Sequence, residues 1–463
     1  MSPRPPTPTA VPPGAHVSGA QVPGAVPPGA LVLGGAHGGL AIARSLGRRG
    51  IAVDLIGDHP LPGLSRYARR RLSWDGMSHG DPLARLTALA AREGLAGATL
   101  FAGGDTEVRF IAQNHAALGA IFRLTTPPWE TLAPMFDKRR MQRHAAAIGV
   151  DAPLAIAPRD RRELETMPLR FPLVLKPTER TVDNAFTLAK AWRADDRATL
   201  LARWDEAVAL MGPDGVLIQE LIPGAGEAQY SYAAVCDRGA PVAELVARRR
   251  RQYPVEFGYT STYVETVACE PVADAARRFL GSLGYTGIAE VEFKFDARDG
   301  RYKILDINAR IWTWAALGAA AGVDFPHVLW RLAHGETIAP VTRQRDAAWM
   351  HASRDAVAAL HEMLRGRLTP AAYLRSLKTP LAFAAFAADD PLPGVVELPL
   401  ALWRGLTHRL PIVARDFWRH IVLGDRADAS PAERRDRASP SPAPDSPYSL
   451  SRLRHKRWAD PAD

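Results

Sequence analysis

Between Gly287 and Arg310 the chain alternates apolar and charged residues on either side of an Asp-Gly turn. Val291, Phe293 and Phe295 alternate with Glu290, Glu292 and Lys294, while Leu305 and Ile307 alternate with Asp306, Asn308 and Arg310. Period two marks half-buried strands, because successive side chains leave opposite faces. Asp299-Gly300 supplies the turn, and a three-residue loop from Arg298 to Gly300, with glycine left-handed, is a common hairpin connection. That loop sets Glu292 directly opposite Asp306. Like charges facing each other across a ladder destabilise it, so the pair calls for a positive partner. A hard divalent cation such as Mg²⁺ takes carboxylate and amide oxygens together with phosphate, and Glu292, Asp306 and Asn308 offer such a set. A solvated acidic face on an ordinary hairpin is the competing reading of this stretch taken alone.

A chain of 463 residues has room for about two to four domains. With 47% hydrophobic and 23% charged residues it falls in the ordinary globular class. Cys236 and Cys269 lack metal-spaced partners and read as free thiols in a reducing compartment. The net charge of +9 raises nucleic acid as a partner. However, the basic residues are mostly dispersed arginines without an aromatic-interleaved motif, which argues against it. No apolar run is long enough to span a bilayer, and the N-terminus lacks a signal-peptide pattern. The expected location is cytoplasmic.

Residues 1–29 are rich in Pro, Gly and Ala, with Val-Pro-Pro-Gly-Ala at 11–15 and again at 26–30; they read as disordered. Residues 30–130 open with a buried strand at Ala30, a glycine turn, a helix from Leu40 to Arg49 and a strand from Ile51 to Ile56. A further strand begins at Thr99. This βαβ opening predicts an open parallel sheet. Residues 131–335 hold a helix from Asp137 to Ile148 that stops at Gly149. Strands follow at Phe171–Lys176, Gly215–Gln219, Gln229–Cys236 and Val242–Ala247, an α+β unit with a lid at about 150–220. Residues 336–424 read as a helical extension, and 425–463 as disordered. Within the extension Trp403, Arg404, Arg409 and Trp418 suit a membrane interface, although a helical cap on the core is the preferred use.

Lysine occurs only at positions 138, 176, 190, 294, 303, 378 and 456 in an arginine-rich chain. A compact point charge suits phosphate. Lys176 ends the apolar strand Phe-Pro-Leu-Val-Leu-Lys and should enter a cleft, with snorkelling at a strand end as the alternative. Val216 to Gly224 is a buried strand leaving through Pro-Gly, which can leave backbone groups beside an apolar slot fit for an adenine edge. Gly34 to Gly39 could cradle a pyrophosphate at a helix N-terminus. Ala36 stands where G-x-G-x-x-G has its second glycine, so tight helix–sheet packing is favoured. Arg248 to Arg251 follow a strand; one or two could bind a carboxylate or phosphate, and a solvated basic turn is the alternative.

Taken in order, these features resemble the ATP-grasp superfamily over about residues 30–330. They look most like its carbamoyl-phosphate-synthase-like and carboxylate–amine ligase branch. The resemblance implies an α/β and α+β architecture: an ATP-grasp fold with an N-terminal open parallel (Rossmann-like) pre-ATP-grasp domain, here followed by the helical extension. It implies that Lys138 and Lys176 contact ATP phosphates, that Glu220 and Leu221 line the adenine hinge through backbone groups, and that Glu227 binds the ribose. Glu292, Asp306 and Asn308 would hold Mg²⁺ (or Mn²⁺), and Arg310 would neutralise the transferring phosphate. Lys176 and Arg310 are thus the expected catalytic pair. Thr178 to Lys190 would cover the phosphates, with Lys190 reaching them on closure. The family more often reads Glu-x-Asn-Pro-Arg where this chain has Asp306-Ile-Asn308-Ala309-Arg310, and its covering loop is more often glycine-rich. The implied activity is ATP- and Mg²⁺-dependent ligation of a small-molecule carboxylate, through an acyl phosphate, to an amine, by a chain that can form a homo-oligomer. Two other readings compete. One is a Rossmann-type NAD(P) or FAD oxidoreductase using Gly34 to Gly39 and Asp58. The other is a catalytically weakened ATP-binding or membrane-docking protein.

Overall fold

Ala30–Leu33 (β1) is buried along its whole length, as expected of a strand covered on both faces. In the computed structural model it is the centre of a five-stranded sheet. The structure describes residues 29–404 apart from 58, 75–79, 179–183, 190, 225, 254–259 and 342–343. The expectations for residues 1–28, Asp58, the core of the covering loop with Lys190, Arg409, Trp418 and 425–463 therefore lie outside the described residues. With β2 (Val53–Ile56), β3 (Ala68–Leu72), β4 (Thr99–Ala102) and β5 (Arg123–Leu124), the sheet runs β3-β2-β1-β4-β5. Every pairing is parallel.

The glycine turn after β1 serves packing. Gly34 and Gly35 take φ of 70° and 80°, where a side chain is strained. A Cβ on Gly38 would lie 2.7 Å from Ile311 Cγ2, and one on Gly34 would lie 2.8 Å from the Glu107 carboxylate. Protein atoms therefore fill the space a pyrophosphate would need. This counts against the Rossmann-type oxidoreductase.

A second, antiparallel sheet is built from β6 (Ala155–Ile156), β7 (Leu173–Pro177), β8 (Trp192–Ala194) and β9 (Val216–Glu220), in the order β6-β9-β7-β8. It has its own core of Leu164, Leu175, Phe186, Leu200, Trp204 and Ile218. The helix Lys138–Ala147 leads into it. Asp137 caps that helix by accepting from Arg139 and Arg140 N–H at 2.8 and 3.1 Å, which sets Lys138 in the first turn.

The third sheet carries the hairpin. It comprises β10 (Gln229–Asp237), β11 (Ala240–Tyr253), β12 (Thr260–Thr266), β13 (Gly287–Asp296), β14 (Arg301–Asn308), β15 (Ala348–Met350) and β16 (Leu381–Phe383). The order is β14-β13-β10-β11-β12-β15-β16. Only β15 and β16 pair in parallel among these neighbours. The hairpin loop is one residue longer than expected, since Asp296 pairs with Arg301. A bulge between Glu292 and Phe293 takes up the extra residue, and Glu292 still faces Asp306.

Two further expectations change. Arg248 to Arg251 are not a turn, because β11 continues to Tyr253. A register shift at Arg250 places Arg249 opposite Val264 and Arg251 opposite Tyr263, so the flanking arginines leave opposite faces. The C-terminal segment, described as far as residue 404, holds the helices Ala352–Leu364, Pro370–Ser376 and Leu392–Arg404. It also adds β15 and β16 to the sheet.

Arg251 ties that segment down. Its guanidinium donates twice to Asp355, both bonds at 2.8 Å, and Thr262 Oγ1 adds a third bond to the same carboxylate at 2.9 Å. Asp355 is 0% exposed. Removing one partner of a buried pair strands the other charge, so Arg251→Met should lower unfolding free energy by about 3–5 kcal/mol. The half-exposed Arg48–Asp389 pair should matter less, with Arg48→Ala costing at most about 1 kcal/mol. Urea titration of both variants checks the ranking; equal effects would contradict it.

Candidate active site

The strand alternation delivers Glu290 and Glu292 from β13 and Asp306 and Asn308 from β14 to one face. Glu290 is paired with Asn308 and Glu292 with Asp306. Asn308 Nδ2 donates to Glu290 Oε2 at 3.1 Å and to Glu292 Oε1 at 3.0 Å, while its Oδ1 accepts from Arg310 at 3.2 Å. Cations from other elements meet the remaining acids. Lys138 Nζ donates to Asp306 Oδ1 at 2.7 Å. Arg249 approaches Glu292 at 3.8 Å. Arg310 Nε donates to Asp105 Oδ1 at 2.7 Å, on the helix Asp105–Gln113 that follows β4.

Glu290 was not singled out from the sequence. It is 3% exposed and accepts from Ser231 Oγ and Trp314 Nε1, each at 2.9 Å. Burial, followed by the Glu292 charge, pushes its carboxyl up to about 7. The signal in the sequence was its spacing two residues before Glu292, on the same strand face. Glu290 and Glu292, bridged by Asn308, with Asp306 paired opposite Glu292, are oxygen donors of the kind a hard divalent cation takes.

The lysines approach from the second sheet's side. Lys138 N–H donates to Thr178 O at 3.4 Å, holding the capped helix against the end of β7. Lys176, on β7, donates to Gln219 Oε1 at 2.7 Å. Burial and then Lys138 push its ammonium down to about 8, against the pull of Asp306 and Glu292. The structure thus brings Lys138, Lys176, Glu292, Asp306, Asn308 and Arg310 together.

Glu220 and Leu221 sit where β9 leaves its sheet. Glu220 N–H donates to Leu154 O at 2.8 Å and Leu221 N–H to Pro172 O at 3.2 Å. In return, Leu154 N–H goes to the Glu220 carboxylate at 2.9 Å, and proline has no N–H to give. Among the described residues, neither return bond of the ladder goes to the carbonyls of Glu220 and Leu221. The Glu220 carboxylate is engaged elsewhere, with Arg298 at 2.6 Å and Lys303 at 3.0 Å. Lys294 spans from β13 to Ile222 O at 2.8 Å. Glu227 is exposed on a short turn, and its carbonyl accepts from Arg248 at 2.7 Å. Of the four consecutive arginines, Arg249 alone faces the acids. Beside Arg310, a cleft lined by Ala102, Thr125, Thr126 and Ala309 opens at the carboxyl end of the parallel sheet, where ligands of such sheets bind.

Lys176 has a measurable consequence. Its folded value of about 8 lies below the ordinary 10.5. Between those pH values the unfolded chain binds more protons, so this group makes stability rise with pH across that window. Below pH 8 the buried charge is a constant cost. Lys176→Met should flatten the rise of urea-derived stability between about pH 8 and 10. A Lys176 ¹³Cε titration midpoint above about 10 would overturn the assignment.

Comparison with known proteins supports the same architecture. Residues 233–341 match the family model for the carbamoyl-phosphate synthase L chain, ATP-binding domain, a span that contains the hairpin. The chain is similar to D-aspartate ligase of Enterococcus faecium (strain Aus0004), 21% identical over 225 residues, 46% of this chain and 52% of that protein. It therefore spans about half the length of this curated relative. Among solved structures it is similar to L-amino acid ligase from Bacillus licheniformis, with TM-score 0.52, 17% identity and coverage of 69% and 79% of the two chains. It is likewise similar to N5-carboxyaminoimidazole ribonucleotide synthetase from Thermus thermophilus, with TM-score 0.51, 17% identity and coverage of 69% and 81%. At these identities the structural likeness speaks for the fold. With the topology of its three sheets, that likeness shows the ATP-grasp fold.

Proposed function

We propose that this protein is an ATP-dependent ligase that activates a small carboxylate as an acyl phosphate and joins it to an amine. The observation that carries the reading is the convergence of Lys138 and Lys176, from two separate elements, on the hairpin carboxylates beside Arg310. A structural acidic patch would need no second lysine whose side chain is bonded to an amide and not to an acid, as Lys176 is to Gln219. A phosphate-binding cleft does.

In this reading Lys138 and Lys176 bind the ATP phosphates, and the Glu220 and Leu221 carbonyls meet the adenine amino group. Glu227, exposed at the rim, reaches the ribose. Glu292, Asp306 and Asn308, joined by Glu290, hold Mg²⁺ or Mn²⁺. When bound, that ion neutralises phosphate oxygens as charge develops on the transferring group. Lys138 leaves Asp306 for phosphate, and Arg310 leaves Asp105 for the γ-phosphoryl oxygens. A substrate carboxylate oxygen attacks the γ-phosphorus and ADP departs. The amine nitrogen then attacks the acyl carbon, the C–O bond to phosphate breaks, and the amine loses a proton. The cleft beside Thr125 and Thr126 is the place for the carboxylate substrate. Two of the similar proteins are named as amino acid ligases, which favours an amino acid as one substrate. ATP as co-substrate and the free thiols Cys236 and Cys269 fit a cytoplasmic setting. Among the described residues no helix is long and apolar enough to cross a membrane.

ADP release measured against pools of amino acids and other carboxylates, with Mg²⁺ and ATP, should identify an active pool. Arg310→Met should lower kcat by about 10²–10³-fold with folding intact, the loss typical of one group that stabilises developing charge. Glu292→Gln should abolish the Mg²⁺-dependent thermal shift caused by ATP. If wild-type protein shows no such shift and Glu292→Ala changes nothing, the ligase reading fails.

A further inference from the structure

Outside the nucleotide cleft, three metal-ligating side chains meet from distant parts of the chain. His37 opens the helix His37–Gly47, His351 follows β15, and Glu397 lies on the helix Leu392–Arg404. Their donor atoms all lie within 4.8 Å of one another. His37 Nε2 is 2.7 Å from Glu397 Oε1, and His351 Nε2 is 3.4 Å from the same oxygen. The two imidazole rings meet edge-on with centroids 4.8 Å apart. His37 is 8% exposed and His351 2%.

A shared proton satisfies only part of this cluster. The Glu397 oxygen is taken by His37, and among the described residues the buried His351 Nε2 has no hydrogen-bond partner. His351 is held in place from behind. Its backbone N–H donates to Thr262 O at 2.8 Å, and ring Nδ1 lies 3.3 Å from Ser353 Oγ. A nitrogen held on its far side and aimed at a carboxylate is how imidazole is presented to a metal. Leaving such a nitrogen unsatisfied in the interior costs about 1–3 kcal/mol. One cation in place of the His37–Glu397 proton engages all three groups at once.

We propose that His37, His351 and Glu397 form a transition-metal site, best suited to Zn²⁺, that clamps the C-terminal helix to the glycine turn of the parallel sheet. Two imidazoles and a carboxylate are a zinc donor set, with water completing four-coordination. Hard Mg²⁺ prefers oxygen throughout, so the two histidines select against the cation expected at the hairpin. Tetrahedral zinc with bonds of about 2.0–2.1 Å needs donors about 3.3 Å apart. The His351–Glu397 spacing of 3.4 Å meets this already. The His37–Glu397 contact of 2.7 Å must open by about 0.6 Å. The clamp joins a docking surface that is already polar and buried: Arg44 donates to Asp390 at 2.9 Å, and Ser65 Oγ donates to it at 2.6 Å.

The test uses full-length protein stripped with chelator and titrated with Co²⁺ as an optical probe. One equivalent should produce a visible d–d band that Zn²⁺ displaces, and Zn²⁺ should raise the melting temperature. His351→Gln and Glu397→Gln should each weaken Co²⁺ binding about a hundredfold or more, with the Mg²⁺–ATP thermal shift retained. Glu292→Gln should leave the Co²⁺ band in place, which separates this site from the hairpin. A wild-type protein with no band and no stoichiometric zinc overturns the proposal. So does full Co²⁺ binding in Glu397→Gln, a variant at a partly exposed position that remains informative if His351→Gln does not fold.

Discussion

Carboxylates crowded on one sheet face are the constraint on which the rest of this structure depends. Glu290, Glu292 and Asp306 lie on two adjacent strands, and their mutual repulsion must be offset by groups from elsewhere. Lys138, Arg249 and Arg310 do so, and each is aimed by a separate local device. The Asp137 cap sets Lys138 at the start of its helix. The irregularity at Arg250 turns Arg249 toward the acids and Arg251 away from them. Asp105, on the parallel domain, holds Arg310. One electrostatic requirement therefore couples three parts of the fold.

The same balance bears on Lys176, one of the two lysines that the proposed function sets beside phosphate. Lys176 is half-buried at the end of β7, and among the described residues its side chain has one hydrogen bond, to Gln219. Its neighbour Lys138 adds repulsion, which Asp306 and Glu292 offset in part; under the proposed function an ATP phosphate would offset the rest. The far end of the chain has an opposite logic. Arg251–Asp355 and Arg44–Asp390 are buried pairs satisfied within the protein, and they anchor the C-terminal segment without any ligand. The His37–His351–Glu397 cluster lies on that anchored side but is left incomplete.

Much of the architecture was legible because its signals are local and periodic. The alternation in β13 and β14 survives any reading of the chain, as do the buried β1, the glycine turn and the capped helix at Asp137. The Glu292–Asp306 pairing was reached through a loop one residue too short, and it held because a bulge compensated. Bulges leave no mark in composition, which is also why Arg248 to Arg251 read as a turn. Three-residue strands such as β15 and β16 are too short for periodicity to show, and their pairing depends on partners far along the chain. Glu290 was visible as an acid but not as a buried one. Its depth comes from Trp314 and Ser231, which no spacing rule connects to it.

The sequence by itself determined which residues could share a face, because side-chain alternation and helix capping depend on neighbours along the chain. It therefore determined the acidic hairpin, the strand-ending lysine and the order of motifs that resembles ATP-grasp proteins. Only the tertiary structure decided which cations answer those acids, that Glu290 is buried among them, and that His37, His351 and Glu397 meet. Those outcomes rest on contacts between residues tens to hundreds of positions apart, where packing, not local chemistry, selects the partner.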